Sequence, residues 1–464
     1  MKCAARSLRS TERSTTEFLE PKEPMIMVVD HDQDSSSQKR SLATRDQSKP
    51  SHDNSLTKLD DHGIFVIDPN GDLVLQFEHE LDVRQTVKFK VNKDALRQAS
   101  AYFRLLLDPT RFEEGRKVAE FKGDGLPAIF IEDVGRISEV KALQMLLADF
   151  LRILHGQNVL SFPPPIANLA NLVAVADRFD SLSFLRTYVY SKRIPQLIDS
   201  KSGRSKSGHI PEDKLRQRCL IAILLDYSPW LLSASQRLIQ RSTLSSSPNT
   251  ATVPLWQDLP AGLETEMHCR RLYILDTIQS LQTYFLSQYT SRTRQCRLGY
   301  DSSGACDSFQ LGEMVRFFAK IGTLNFTGSL VQINDARDEA DYAGDLKELI
   351  DKMRQCPEYQ IDSNHHHCGL RTRLMPLLDQ VEKALEDSGI CGDCWSTCRS
   401  EYSWAEAKRP LIWRRDNVQQ NVLPGMDKGR SCLARHLATR NMCMATDRVW
   451  EVPRDGLGPF TTWK

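Results

Sequence analysis

Short apolar runs separated by polar turn residues occur between residues 62 and 140, and this pattern predicts β-strands. The runs are rich in aliphatic and aromatic side chains and are too short for helices. The predicted strands are Ile64–Ile67, Leu73–Phe77, Thr86–Val91 and Ala128–Ile131. The residues Asp68-Pro69-Asn70-Gly71 predict a hairpin-type loop between the first two strands, because Pro presets φ and Asn-Gly tolerates positive φ. Asn92 and Asp94 supply capping groups for a helix after the third strand.

Beyond residue 140 the apolar positions recur every three or four residues, which predicts helices that bury one face. Two such stripes run from Leu143 to Leu154 and from Ile166 to Phe179. Further helices are predicted at Cys219–Leu225, Pro229–Ile239, Leu272–Tyr289, Leu311–Ile321, Ala343–Met353 and Leu377–Leu385. The sequence therefore predicts an α+β fold. A mixed sheet capped by helices occupies residues 62–200, and a mainly α-helical region occupies residues 212–415.

The two ends of the chain lack such patterns. Residues 1–58 are dominated by Ser, Thr and charged side chains, so they have too little apolar surface to offset the entropy lost on ordering. We expect a disordered N-terminal tail there and a poorly ordered C-terminal tail over residues 416–464.

Charge and hydropathy narrow the class of partner. Lys and Arg total 61 against 60 Asp and Glu, so no net field draws the chain onto nucleic acid or an anionic membrane. The longest aliphatic run, Leu220–Leu225, is far too short to span a bilayer, and the first residues lack the apolar core of a signal peptide. We therefore expect an intracellular protein that has no membrane partner.

Several motifs in residues 62–190 resemble those of one family. They are the Phe89-x-Val91 strand, the Ser100-x-Tyr102-Phe103 step with the aliphatic triplet after it, and the run Leu151-Arg152-Ile153-Leu154-His155-Gly156. Together they resemble a BTB/POZ domain. The resemblance extends to a fungal-type architecture in which such a domain precedes a helical, Cys-bearing region with runs like Gly299–Glu313. It implies a module that binds proteins, including a second copy of itself, and that performs no chemistry.

The same resemblance implies a partner-binding step at Phe112 and Glu114. Some members of the family present a hydrophobic-x-acid step to a cullin-type ubiquitin ligase scaffold, and Phe112-Glu113-Glu114 lies where that step is expected. Our leading hypothesis is a protein-interaction scaffold. One alternative is a substrate adaptor of a cullin-type ligase. Another is a DNA-associated transcriptional regulator, which is prompted by Arg371, Arg373 and the run Trp413-Arg414-Arg415.

Cysteine and histidine concentrate between residues 356 and 394. A C-x-x-C pair such as Cys391 and Cys394 places two thiolates at one edge of a tetrahedral zinc ion. The remaining two donors are sought upstream, among Cys356, Cys368 and one of the three histidines at 365–367. The predicted metal ligands are Cys356, His366, Cys368, Cys391 and Cys394. The predicted helix Leu377–Leu385 would join the two halves of this site as a strut.

Other donors are left open. Cys296 and Cys306 are candidates for further ligands if the helical region folds back, whereas Cys398, Cys432, His436 and Cys443 are interpreted as bystanders. The alternative is that the cysteines are small buried hydrophobes and the histidine run is a solvated loop.

No motif in the sequence favours catalysis. Gly203–Ile210 lacks the Lys and Ser/Thr of a phosphate-binding loop, and His79-Glu80 is followed by Val83 where a zinc protease needs its second His. A closed zinc site with four protein ligands leaves no open position for water. We therefore expect zinc to be structural and the protein not to be an enzyme.

Overall fold

The computed structural model describes residues 63–78, 86–138, 142–202, 210–241, 254–296, 298, 303–324, 342, 344–365, 368–408, 411 and 428–450. These residues all belong to one compact unit. They combine a small sheet with many helices, so the predicted α+β class is confirmed. The predicted N-terminal tail, residues 1–58, lies outside the described residues. Of the predicted C-terminal tail, residues 428–450 are described, and they include a helix.

A four-stranded mixed sheet forms the first part of the fold. Its strands are β1 (Phe65–Val66), β2 (Leu73–Phe77), β3 (Val87–Val91) and β4 (Ala128–Ile131). In the order β1-β3-β2-β4, β2 is antiparallel to β3, while β1 with β3 and β2 with β4 form parallel pairs. Leu75 and its cross-strand partner Phe89 are both fully buried, so the sheet packs one face into the core.

The turn at residues 68–71 forms as predicted, but the strands on either side of it are not neighbours. The Gly71 amide donates to the Asp68 carbonyl at 3.0 Å. A Cβ on Gly71 would lie 2.7 Å from the Val91 carbonyl oxygen, so this close approach requires glycine. β3 lies between β1 and β2, and the carbonyls of Lys90 and Val91 accept hydrogen bonds from residues 67 and 72. The predicted hairpin is therefore wrong, because the turn carries the chain over the end of β3.

Seven helices accompany the sheet in the described residues up to 202. They are α1 (Lys93–Ala99), α2 (Ala101–Leu106), α3 (Glu113–Glu120), α4 (Leu143–Leu154), α5 (Ile166–Arg178), α6 (Leu182–Ser191) and α7 (Ile194–Ser202). The Asn92 side chain caps α1, as predicted. Ser100 caps α2 and donates its hydroxyl to the Phe179 carbonyl at 2.6 Å. The Phe179 ring stacks on Phe103 and Phe150, which ties α2 and α4 to one aromatic core.

The described residues from 210 onward are mainly helical. Their helices are α8 (Glu212–Leu224), α9 (Ser228–Arg241), α10 (Leu263–Thr290), α11 (Ser303–Lys320), α12 (Leu346–Arg354), α13 (Leu370–Glu386), α14 (Gly392–Thr397), α15 (Arg399–Tyr402) and α16 (Lys428–Met444). α8 packs against α5, so the helical region shares a hydrophobic core with the first part. α10 is the longest of these helices and packs against α9, α11, α13 and α16. Within the described part of the chain, no helix has both the length and the apolar character needed to cross a membrane.

Candidate metal centres

One group of four potential metal ligands lies near the start of α11 and α13. We call it site 1, and it consists of Cys296, Cys306, His365 and Cys368. Their ligand atoms all lie within 4.8 Å of one another, and all four residues are buried. The Cys296 Sγ is 3.5 Å from Nδ1 of His365 and 3.8 Å from the Cys368 Sγ. Three thiols and one imidazole therefore converge on a common centre.

Local backbone structure presents the site 1 ligands. Cys306 lies in the first turn of α11, and Cys368 lies two residues before the start of α13. A 3₁₀ turn at Ser363–His365 is closed by a bond from the His365 amide to the Asp362 carbonyl, and the Cys368 amide in turn donates to the His365 carbonyl. These bonds hold His365 and Cys368 on the same side of the turn.

A second group of four lies at the other end of α13. We call it site 2, and it consists of Cys391, Cys394, Cys432 and His436, again with all ligand atoms within 4.8 Å of one another. Cys391 is the N-cap of α14 and Cys394 lies in its first turn. Cys432 and His436 stand four residues apart on α16, which places them on one face of that helix. His436 Nδ1 is 3.5 Å from the Cys394 Sγ and 3.6 Å from the Cys432 Sγ.

The ionisation of these groups suits a metal ion. At site 2, burial and the nearby guanidinium groups of Arg435 and Arg270 lower the pKa of His436 to about 4, so its imidazole is neutral and has a free lone pair at neutral pH. Burial and the neighbouring thiols raise the pKa of Cys394. At site 1, burial tends to raise the pKa of Cys296, but hydrogen bonds from its neighbours outweigh this effect and bring the pKa to about 7. Three clustered thiols cannot all ionise without a counter-charge, and a divalent cation supplies that charge. Each site can therefore hold a metal ion.

The structure does not bring the five predicted ligands into one site. Cys368 belongs to site 1, whereas Cys391 and Cys394 belong to site 2. Cys356 lies in neither site: its thiol is 3.6 Å from the Pro357 carbonyl, and burial raises its pKa to about 12, so it remains a protonated core side chain. His366 lies outside the described residues. The predicted strut, now seen as part of α13, separates two sites instead of bridging one.

The sequence prediction dismissed two ligands, left two others open and named His366, whereas the histidine of site 1 is its neighbour His365. Cys432 and His436 were interpreted as bystanders, yet both lie in site 2. Their signal was the C-x-x-x-H spacing, which puts both side chains on one helical face, but no helix was predicted there. Cys296 and Cys306 were expected to contribute only if the region folded back, and the structure brings them to Cys368.

The other predicted contact residues differ in exposure. Phe112 is 48% exposed at the N-terminal end of α3, and Glu114 is partly exposed two residues later. Arg371 donates to the carbonyls of residues 354 and 356, and Arg373 donates to the Gln295 carbonyl. Both guanidinium groups thus make bonds within the fold, which weakens their case as contacts to nucleic acid. Trp413-Arg414-Arg415 lies outside the described residues.

Comparison with known proteins adds no relative. No family model, curated protein or solved structure matches the chain. The BTB/POZ resemblance therefore rests on the residues quoted from the sequence and stays a prediction. The geometry of the two sites is independent of that resemblance.

Proposed function

We propose that this protein is a protein-interaction scaffold whose helical region is stapled by two structural zinc ions. In this proposal residues 62–200 act as a BTB/POZ-like docking module that binds other proteins, including a second copy of the chain. The helical region offers a second binding surface. The protein acts by binding and carries out no reaction.

The observation that carries the zinc assignment is the donor set. Each site joins three cysteine thiols to one histidine, which is a common ligand set of structural zinc. Thiolate and imidazole donors favour zinc over magnesium or calcium, which take oxygen ligands. Four protein donors close the coordination sphere and leave no position for a reactive water. A structural role follows from this closed sphere.

The span of each site supports its role as a staple. Site 1 joins residues 296 and 306 to residues 365 and 368, and site 2 joins residues 391 and 394 to residues 432 and 436. In each case the ion would link segments that are far apart in the sequence. Ions that bind only the folded arrangement add their binding free energy to its stability.

A second candidate function is that of a substrate adaptor for a cullin-type ubiquitin ligase. The exposed Phe112 side chain with Glu114 beside it favours this function, because a large apolar residue at that exposure offers a contact surface. Pull-down of a purified cullin-type scaffold by the parent chain, and its loss in a Phe112→Ala, Glu114→Ala variant, would support it. No binding by the parent chain would remove it.

Metal analysis of the purified full chain tests the zinc assignment. We expect two zinc ions per chain by plasma mass spectrometry, because the two donor groups share no ligand. Cys306→Ser and Cys391→Ser should each lower the content to about one ion, because loss of a thiolate ligand greatly weakens binding at that site.

The matched control is Cys398→Ser, which removes a partly exposed thiol that lies close to site 2 in the sequence but belongs to neither site. Its zinc content should remain at two ions. A parent chain that contains no zinc, or ligand variants that keep both ions, would overturn the assignment.

A further inference from the structure

Each metal site has a buried tyrosine whose hydroxyl is bonded to the backbone of a ligand cysteine. At site 1 the Tyr289 hydroxyl donates to the Cys368 carbonyl at 3.0 Å. At site 2 the Tyr402 hydroxyl accepts from the Cys391 amide at 2.7 Å. Both tyrosines are buried, and neither belongs to its ligand group. The same kind of contact therefore occurs at two sites built from different elements.

An arginine lies over the ring of each of these tyrosines. The Arg373 guanidinium is 5.6 Å from the centroid of Tyr289, and the Arg270 guanidinium is 4.7 Å from that of Tyr402. α10 contributes one member to each pair, since Arg270 lies in its first half and Tyr289 near its end. One long helix thus contacts the surroundings of both sites.

At site 2 the backbone that leads into the C-x-x-C pair is fixed by side chains from three helices. Arg270 donates to the carbonyls of residues 388 and 389 at 2.9 and 2.8 Å. The Ser235 hydroxyl accepts from the amide of residue 390 at 2.8 Å, and Tyr402 accepts from Cys391 and donates to residue 389. The Tyr402 ring also packs edge-on against His436, with centroids 5.4 Å apart. Tyr402 therefore contacts residues that provide ligands on both α14 and α16.

At site 1 a similar arrangement holds the segment before Cys296. Arg373 donates to the Gln295 carbonyl at 2.6 Å, and the Gln295 amide donates to the Asp307 carboxylate at 2.9 Å. Tyr289, which comes before Cys296 in the sequence, fixes the backbone of Cys368 through its hydroxyl group.

We propose that Tyr289 and Tyr402 are positioning residues that set the zinc affinity of site 1 and site 2, respectively. Each fixes the backbone of one ligand cysteine through its hydroxyl group, so that less order has to be gained when the ion binds. Neither tyrosine is a ligand, because its hydroxyl group is bonded to the backbone. This inference rests on the proposed zinc function.

Tyr→Phe variants in the full chain test it, because each keeps the ring and removes only the hydroxyl. Zinc-loaded protein is titrated with a chelator, exposed briefly to a thiol-alkylating reagent and digested for peptide mass spectrometry. Alkylation of Cys306 reports release from site 1, and alkylation of Cys394 reports release from site 2. The method therefore gives a separate zinc dissociation constant for each site.

We expect Tyr402→Phe to raise the dissociation constant of site 2 by about 10- to 100-fold and to leave site 1 unchanged. Tyr289→Phe should do the reverse. The matched control is Tyr188→Phe, which also removes a buried hydroxyl bonded to a backbone amide, that of Val159, within the predicted docking module that contributes no ligand to either site. It should change neither site.

Site-selective weakening by either variant supports the inference, and each variant is interpreted on its own if the other does not fold. Equal weakening of both sites in both variants would overturn it, because general loss of stability acts on both sites. Unchanged affinity in both variants would also overturn it. A parent chain whose cysteines are alkylated before chelator is added would instead mean that the proposed zinc function fails.

Discussion

The buried ion pair of Glu266 and Arg270 shows how single residues connect the core to site 2. Both side chains are almost fully excluded from solvent and lie 2.8 Å apart. Glu266 also accepts bonds from the Ser403 hydroxyl and from the Trp404 and Ala405 amides. Burial tends to raise the pKa of Glu266, but the charge of Arg270 and these hydrogen bonds outweigh it and lower the pKa. The carboxylate therefore stays ionised and fastens the segment after Tyr402 to α10.

His155 has a comparable role in the first part of the fold. Its Nδ1 lies 2.7 Å from the Leu151 carbonyl, and its Nε2 accepts from the Asn92 amide at 3.0 Å. Both bonds are satisfied together only by a neutral imidazole whose proton is on Nδ1. Burial lowers the pKa of His155 from its ordinary value of 6.5, in keeping with that neutral form.

Protonation of His155 should therefore destabilise the fold. In acid the unfolded chain takes up this proton more readily than the folded one, so the free energy of unfolding falls as the pH drops below 6.5. This single group contributes a slope of at most about 1.4 kcal/mol per pH unit. In His155→Gln the amide oxygen can accept from Asn92 without titrating, and we expect a shallower acid dependence of stability than in the parent chain.

Urea unfolding of the metal-free parent and variant across this pH range measures the difference. Chelator in both samples removes the pH dependence of metal binding from the comparison. Parallel curves of unfolding free energy against pH would contradict the assignment of a neutral, bonded imidazole. A variant that is less stable by about 1 kcal/mol at every pH would mean that only a hydrogen bond was lost.

At the scale of helices and strands, hydrophobic periodicity predicted which segments form regular secondary structure. It did not predict all of the residues at which they end, or which elements lie next to one another. The stripe from Leu143 to Leu154 coincides with α4. α13, however, begins at Leu370, although Pro376 favours a start after it. Contacts from other elements stabilise the early turns, because Arg371 donates to carbonyls near the end of α12. Such contacts depend on the folded structure, as does the placement of β3 between β1 and β2.

α16 is attached to the fold in two different ways along its length. Its first half carries Cys432 and His436 of site 2. Its second half is held by apolar burial of Cys443 and Met444, and the Cys443 carbonyl accepts from the Thr277 hydroxyl of α10 at 3.3 Å. In the proposed function, only the first attachment depends on a metal ion.

Zinc removal should therefore loosen the first half of α16 before the second. By hydrogen exchange with mass spectrometry, we expect protection near Cys432 and His436 to fall by up to about 100-fold when the starting free zinc is about 100 times its dissociation constant. Amides near Cys443 and Met444 should change less, because apolar contacts persist there.

The variant Cys432→Ser should reproduce this pattern without chelator. In Cys398→Ser, by contrast, the protection of α16 should match that of the parent chain, since this thiol is not a ligand. Uniform loss of protection along all of α16 would show that the helix docks as one unit and would contradict the division into two attachments.

For the whole molecule, the two sites lie at opposite ends of α13, which spans about 25 Å at the usual helical rise. The C-x-x-C pair could be predicted because its two donors are neighbours in the sequence. The partners of that pair could not, because 38 residues separate Cys394 from Cys432. The assembly of site 1 from Cys296, Cys306 and Cys368 depends likewise on how α10, α11 and α13 pack. A local motif thus identified the chemistry, and the tertiary structure determined the ligand sets.

The positions of the ligands also separate the two proposed activities of the chain. All eight ligands of the two sites lie between residues 296 and 436, and none lies in the predicted docking module at 62–200. Self-association through that module should therefore survive removal of zinc. Light scattering coupled to size exclusion should give the full chain twice its single-chain mass of 52.9 kDa, both with bound zinc and after chelation.

The matched variant is Phe112→Ala, which alters the surface proposed for a different partner and should leave this mass unchanged. A single-chain mass at every concentration would remove self-association from the proposed function. A double mass that is lost on chelation would place the contact in the helical region instead, because among the described residues both ligand groups lie in that region. The mass before and after chelation therefore decides which part of the chain holds two copies together.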